Sequence, residues 1–160
     1  MSKNILVFRT DRIGDLILTC PTIISIKKYF TNSKISIVTS EKNFNYAKKL
    51  GIFENVYLYP QNNFLSKIKL IYMLSKQIFD YIYIFDGKER SLIISSFIKC
   101  KNKLALSTKN KSFYKFFGIK IFIDDEQEPL NKIFQKIVCY SSIDFKINNY
   151  KFLNKKLDNK

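Results

Sequence analysis

The sequence contains no histidine. That absence removes Ser-His-Asp and Cys-His catalysis and every histidine-based metal site. Cysteine is sparse: Cys20, Cys100 and Cys139 are odd in number, far apart and never in a CxxC pair. This pattern suits buried apolar thiols in a reducing cytosol and excludes a disulfide scaffold. Only four glycines and three prolines are present, too few for flexible linkers or collagen-like repeats. No repeat of solenoid length is visible. No apolar run approaches the roughly 20 residues of a membrane span, and the apolar stretch near the N-terminus is too short for a signal peptide. Neither GxGxxG nor GxxxxGK-S/T occurs, so the chain carries no dinucleotide fingerprint and no P-loop.

What remains is apolar and basic. Of 160 residues, 46% are hydrophobic and 16% aromatic, enough for the core of one ordinary domain. The net charge of +15 favours anionic partners: nucleic acid, an acidic membrane surface, phosphorylated sugars or nucleotides. Much of the lysine excess accompanies abundant Ile, Asn, Phe and Tyr, the composition that AT-rich codons leave at permissive positions. The three arginines, Arg9, Arg12 and Arg90, are the more informative cations, because a guanidinium presents a planar fork to phosphate or carboxylate.

Along the chain, strand-like and helix-like stretches alternate. "NILVF" (Asn4 to Phe8) is a short continuous apolar run, as expected of a strand buried on both faces. From Asp15 to Phe30 apolar residues recur at helical spacing, with Pro21 predicting a kink or a late helix start. "KISIVTS", "NVYLYP", "DYIYIFD", "NKLALS" and "IKIFI" read as further strands. Helices are predicted over 41–51, 63–79, 89–99 and about 128–140. This alternation predicts right-handed βαβ units and a doubly wound parallel sheet, an α/β Rossmann-like domain over 1–142. Residues 143–160 read as a polar, lysine-rich tail or linker.

The turn "RTDRIGDL" follows the first strand. In open α/β sheets ligands bind at the carboxyl ends of the strands, so a functional loop is expected there. Gly14 lets the backbone turn and approach a ligand. Asp15 admits two readings. One is a helix-capping carboxylate without chemistry. The other is a general base at the mouth of a cleft, as a glycosyl transfer requires when an acceptor hydroxyl loses its proton. Arg9 and Arg12 are either solvated loop charges or a steering pair for a phosphorylated acceptor.

"ILVFRTDRIGDLILTCPTIISIKKYF" resembles the start of the ADP-heptose–lipopolysaccharide heptosyltransferases, glycosyltransferase family nine. Their first strand is followed by R-x-D-R-I-G-D, an apolar stretch ending T-x-P, and a helix. "KISIVTSEKN" is similar to the family's second strand and turn. "FDGKERSLIIS" is similar to its loop after the fourth strand, with Gly87, Lys88, Glu89, Arg90 and Ser91 at the recurring positions. The resemblance implies the N-terminal, acceptor-binding half of a two-domain GT-B transferase acting in lipopolysaccharide or related surface-glycan assembly. It implies Asp15 as catalytic base. It implies Arg9, Asp11, Arg12, Gly14, Lys88, Arg90 and Ser91 around an anionic glycolipid acceptor. It implies a nucleotide-sugar donor such as ADP-heptose, and neither metal nor other cofactor.

Family enzymes run to about twice this length, as a second domain requires. The chain is therefore expected to lack the donor domain and not to turn over by itself. The expected location is cytoplasmic, with peripheral contact at the inner membrane. A non-catalytic basic module that grips anionic glycan or nucleic acid is a second reading, and a truncated inactive remnant a third; nucleic acid is the less favoured partner. "DDEQEP" (Asp124 to Pro129) is read as a helix start rather than a metal site. "KNKSFYKFF" (Lys109 to Phe117) is read first as a loop and short helix whose aromatics join the core. Contact with an anionic membrane is its second reading.

Overall fold

The computed structural model describes residues 2–107, 112–123 and 130–140. The acidic stretch 124–129, the lysines at 109 and 111 and the tail 143–160 lie outside the described residues. Six strands form one sheet: β1 Asn4–Arg9, β2 Lys34–Thr39, β3 Asn55–Leu58, β4 Phe79–Ile84, β5 Cys100–Ser107 and β6 Ile119–Ile123. Every neighbouring pair is parallel, and the spatial order is β3-β2-β1-β4-β5-β6. The connections are α1 Ile13–Tyr29, α2 Glu41–Leu50, α3 Phe64–Ser75, α4 Glu89–Ser96 and a 3-10 helix Ser112–Phe117, with α5 Leu130–Cys139 after β6. The Rossmann-like expectation holds, with strand ends displaced by a residue or two.

The alternation of side chains along each strand explains the two layers. Ile5, Val7, Ile35, Ile37, Tyr83 and Phe85 face one side, where α1, α2 and α5 cover them. Leu6, Phe8, Val38, Ile82, Ile84 and Ala105 face the other, under α3, α4 and the 3-10 helix. Strands buried on both faces must read as continuous apolar runs, as "NILVF" does.

Helix α1 presents Leu16, Cys20, Ile23 and Ile26 to the sheet at helical spacing. It starts at Ile13 and passes through Pro21 without ending, so the late start that Pro21 suggested does not occur. Burial of Pro21 in the contact face offsets its missing backbone hydrogen bond. Cys20 is fully packed there, and burial pushes its thiol up to about 11, as an inert core residue should be. Helix α2 stops at Gly51, in the left-handed conformation with φ 64°. Helix α3 is shorter than its apolar pattern predicts; Asn63 caps it by accepting a hydrogen bond from Ser66 N–H at 3.1 Å.

Candidate active site at the strand-order switch

The strand order reverses between β1 and β4. From β1 the chain winds outward through β2 and β3; from β4 it winds the other way through β5 and β6. The loops leaving these two strands, 10–12 and 85–88, therefore diverge and leave a crevice. Both segments singled out in the sequence meet there.

Asp86 joins the two loops. Its Oδ2 accepts hydrogen bonds from Thr10 N–H at 3.0 Å, the Thr10 hydroxyl at 2.6 Å and the Ser91 hydroxyl at 2.7 Å. Its Oδ1 accepts from Lys88 N–H at 3.1 Å. Arg90 closes the ring: Nε donates to Thr10 Oγ1 at 2.9 Å and Nη2 to the Thr10 carbonyl. Its guanidinium lies 5.1 Å from the ring centre of Tyr59, beyond the end of β3. Gly87 is required for this join. Its φ is +57°, and a Cβ there would sit 2.9 Å from the Leu106 carbonyl oxygen of β5.

Arg9, at the end of β1, is almost fully buried. Its Nη1 donates to the Phe85 carbonyl. Its Nε lies 3.3 Å from Asp11 Oδ1 and its Nη2 lies 3.8 Å from Asp15 Oδ1. One guanidinium thus ties β1, the end of β4 and two carboxylates of the turn. The Asp11 backbone carbonyl accepts from Ser40 Oγ and Asn43 Nδ2, both at 3.1 Å, which anchors the turn to the start of α2.

Asp11 is the electrostatically unusual group. Burial pushes its carboxyl up to about 6 from the ordinary 3.8, with Asp86 and Asp15 adding to the rise and Arg9 opposing it. The folded chain therefore binds a proton on Asp11 that the unfolded chain releases between about pH 4 and 6. Stability contributed by neutral Asp11 is complete below the unfolded value and is lost as pH rises through the folded one. Asp11→Asn mimics the neutral form. We expect its melting temperature, relative to wild type, to rise between pH 4 and 7; thermal melts across that range check it, and a constant difference would contradict the shifted titration.

Asp15 does not occupy the cap position itself. Arg12 is the N-cap residue, and Asp15 stands three residues on, its Oδ2 accepting from Arg12 N–H at 3.3 Å. Its side chain is 36% exposed, so the carboxylate is fixed by the capping contact and by Arg9 yet open to the crevice. Gly14 lies inside the first turn of α1 rather than in the loop before it, and a methyl group built there would meet nothing within 4 Å.

The structure thus divides the residues expected from the sequence. Arg12, Gly14 and Lys88 are exposed at the crevice, and Asp15 is half-exposed. Arg9 and Ser91 are turned inward and have internal partners. Asp11 and Arg90 are partly buried between the two groups. Asp86 and Thr10 were missed, although one signal was available: Asp86 directly follows the apolar β4 run, at the strand end beside β1, and precedes the left-handed Gly87. Among the described residues, no three histidine, cysteine, aspartate or glutamate side chains form a group that could hold a metal.

No protein-family model matches the sequence, and no curated protein matches it. Solved structures do. The heptosyltransferase WaaC of E. coli, in a structure with ADP, superposes with a TM-score of 0.73 at 13% identity, covering 92% of this chain and 49% of that one. A family-nine glycosyltransferase from Veillonella parvula gives a TM-score of 0.73 at 16% identity, covering 92% and 43%. The ADP-heptose–lipopolysaccharide heptosyltransferase II of E. coli gives 0.66 at 11% identity, covering 84% and 39%. The chain spans about half the length of these proteins or less. Its Rossmann-like sheet is a fold that it shares with part of each of these glycosyltransferases.

Proposed function

We propose that this chain supplies the acceptor site and catalytic base of a glycosyltransferase. The donor would be a nucleotide-sugar such as ADP-heptose, and the acceptor a lipopolysaccharide core or related anionic surface glycan. The observation that carries this reading is Asp15. Its carboxylate is held by Arg12 N–H and Arg9, opens to the crevice at the strand-order switch and stands beside Gly14, where no side chain blocks approach. The fold shared with heptosyltransferases supports it further.

In the proposed reaction an acceptor hydroxyl is hydrogen-bonded to Asp15. Its oxygen bonds to the anomeric carbon as its proton passes to the carboxylate. The bond from that carbon to the nucleoside diphosphate breaks, and the electron pair leaves with the diphosphate. Arg12 and Lys88, exposed on the two loops, meet phosphate or carboxylate groups of the acceptor. Arg9, Asp11, Arg90 and Ser91 act through the frame: they fix the loops so that Asp15 needs no reorganisation when the proton moves. A facing donor domain would supply the groups that stabilise the departing diphosphate.

Gly14→Ala tests the reading because fold and function should move in opposite directions. Within a helix an exposed Gly→Ala change stabilises by about 0.5–1 kcal/mol, and no atom obstructs the new methyl group. If a ligand approaches the backbone here, the same methyl group should weaken acceptor binding by about tenfold, roughly 1.4 kcal/mol. Thermal melts and titration with a deacylated phosphorylated inner-core saccharide check the pair. Unchanged acceptor affinity would remove Gly14 from the acceptor site.

A further inference from the structure

The two edges of the sheet are built differently. At one edge, β6 carries Lys120, whose Nζ lies 4.5 Å from the centre of the Tyr140 ring. Phe122 of the same strand meets that ring edge-on at 5.3 Å. A charge on the strand and a side chain folded against it both guard a sheet edge from further pairing. At the other edge, β3 reads "NVYL", without a charged residue, and β2 is its only strand partner among the described residues.

A groove of about 500 Å³ runs along β3. Val56, Tyr57 and Leu58 form its floor. Phe44 of α2 stands on one side, and Lys69, Leu70 and Met73 of α3 stand on the other. These helices cover opposite faces of the sheet: Val56 packs into the layer of α2 and Tyr57 into the layer of α3. Both helices therefore border the open edge, and the groove continues the plane of the sheet between them. A slot of that shape fits an extended chain. Its backbone would pair with β3, and its alternate side chains would meet α2 and α3 in turn.

Charge decides what kind of chain. The acidic residues from the start of α2 to the end of α3 are Glu41 and Glu54, against Lys42, Lys48, Lys49, Lys67 and Lys69. Each side of the slot carries a cation: Lys69 lines it on α3, and Lys48 Nζ sits 4.4 Å over the Phe44 ring on α2. A second copy of this chain would bring the same lysines edge to edge, at a net charge of +15 each.

We propose that the outer edge of β3 is a docking site for an extended segment of another protein, apolar at its centre and acidic at its flanks. The segment adds a seventh strand beside β3, its apolar side chains lie against Phe44 and Met73, and its carboxylates pair with Lys48 and Lys69. The inference does not depend on which group, if any, is transferred at the crevice.

The test uses the full chain and a capped synthetic peptide, Glu-Glu-Val-Ile-Val-Glu-Glu. Fluorescence anisotropy reads binding, and amide hydrogen exchange reads residues 55–58. Saturable binding is expected, with slower exchange at β3. The lysine-flanked analogue, and the acidic peptide N-methylated at alternate residues, should each bind at least about tenfold more weakly. Lys48→Glu combined with Lys69→Glu should cost at least about tenfold in affinity at unchanged melting temperature, since both side chains are exposed. Lys99→Glu combined with Lys101→Glu makes the same charge change at and beside the start of β5 and should bind within about twofold of wild type. No saturable binding, equal binding of the N-methylated peptide, or equal losses from the two lysine pairs would overturn the proposal. So would β3 amides already protected in the free chain together with self-association in sedimentation equilibrium, which would make a second copy the occupant of the slot.

Discussion

Asp86→Ala is expected to destabilise the folded chain by about 2–4 kcal/mol, a fall of about 5–15 °C in melting temperature. The carboxylate accepts four hydrogen bonds, from Thr10 N–H, the Thr10 and Ser91 hydroxyls and Lys88 N–H. Ser91 is fully buried and Thr10 nearly so, so neither recovers its lost partner from water. A donor left unsatisfied costs its desolvation, and the cost exceeds what a typical surface hydrogen bond contributes. Arg90 depends on the same join, because its two bonds both go to Thr10. Asp86→Asn keeps one acceptor oxygen but turns an amide NH2 toward donors, so its loss should be smaller and of the same sign. Calorimetry on the two variants, with exposed Lys88→Ala as a reference within about 0.5 kcal/mol of wild type, measures the effect. An Asp86→Ala chain that melts with wild type would mean that the two loops are held by something other than this carboxylate.

The second large effect is on chemistry. In a transferase assembled from this chain and a donor-binding domain, Asp15→Asn should lower turnover by about 10²- to 10⁴-fold, the usual contribution of a positioned base. An amide oxygen can still accept from Arg12 N–H, so the start of α1 should survive at a cost of no more than about 1 kcal/mol. Acceptor affinity should stay within a few-fold of wild type, because the side chain gives up a proton acceptor and not a binding surface. A variant that lost affinity and turnover together would make Asp15 a binding residue. A variant that turned over at the wild-type rate would return Asp15 to a helix-capping role alone.

Much of this was legible in the sequence because a parallel sheet buried on both faces leaves strong traces. "NILVF" and "DYIYIFD" could hardly be anything but central strands, and they prove to be adjacent, β1 and β4. The turn after β1 stood out through Arg9, Arg12, Gly14 and Asp15. Less legible was which of its charges point inward. Arg9 and Arg12 look equivalent in sequence, yet Arg9 ends the strand, with its side chain on the face packed by Phe134 at 5.8 Å, whereas Arg12 begins the helix in solvent. The partnership of Thr10 with Asp86 spans 76 residues and exists only once β4 lies beside β1. Asp15 was expected at the cap and stands at the third helical position, because the helix starts earlier than the apolar spacing alone suggests. The extra length predicted for α3 came from Phe79, which fits the helical spacing but is the first, fully buried residue of β4.

The central claim is that the crevice between the β1 and β4 loops holds a phosphorylated saccharide. Its most direct measurement is a titration of the isotope-labelled chain with a deacylated lipopolysaccharide inner-core saccharide, followed by backbone amide resonances. The account expects saturable shifts clustered at residues 10–15 and 86–91, weakened in Gly14→Ala. No saturable shift, or shifts confined to the lysine-rich surface and reproduced equally by an arbitrary oligonucleotide, would contradict it.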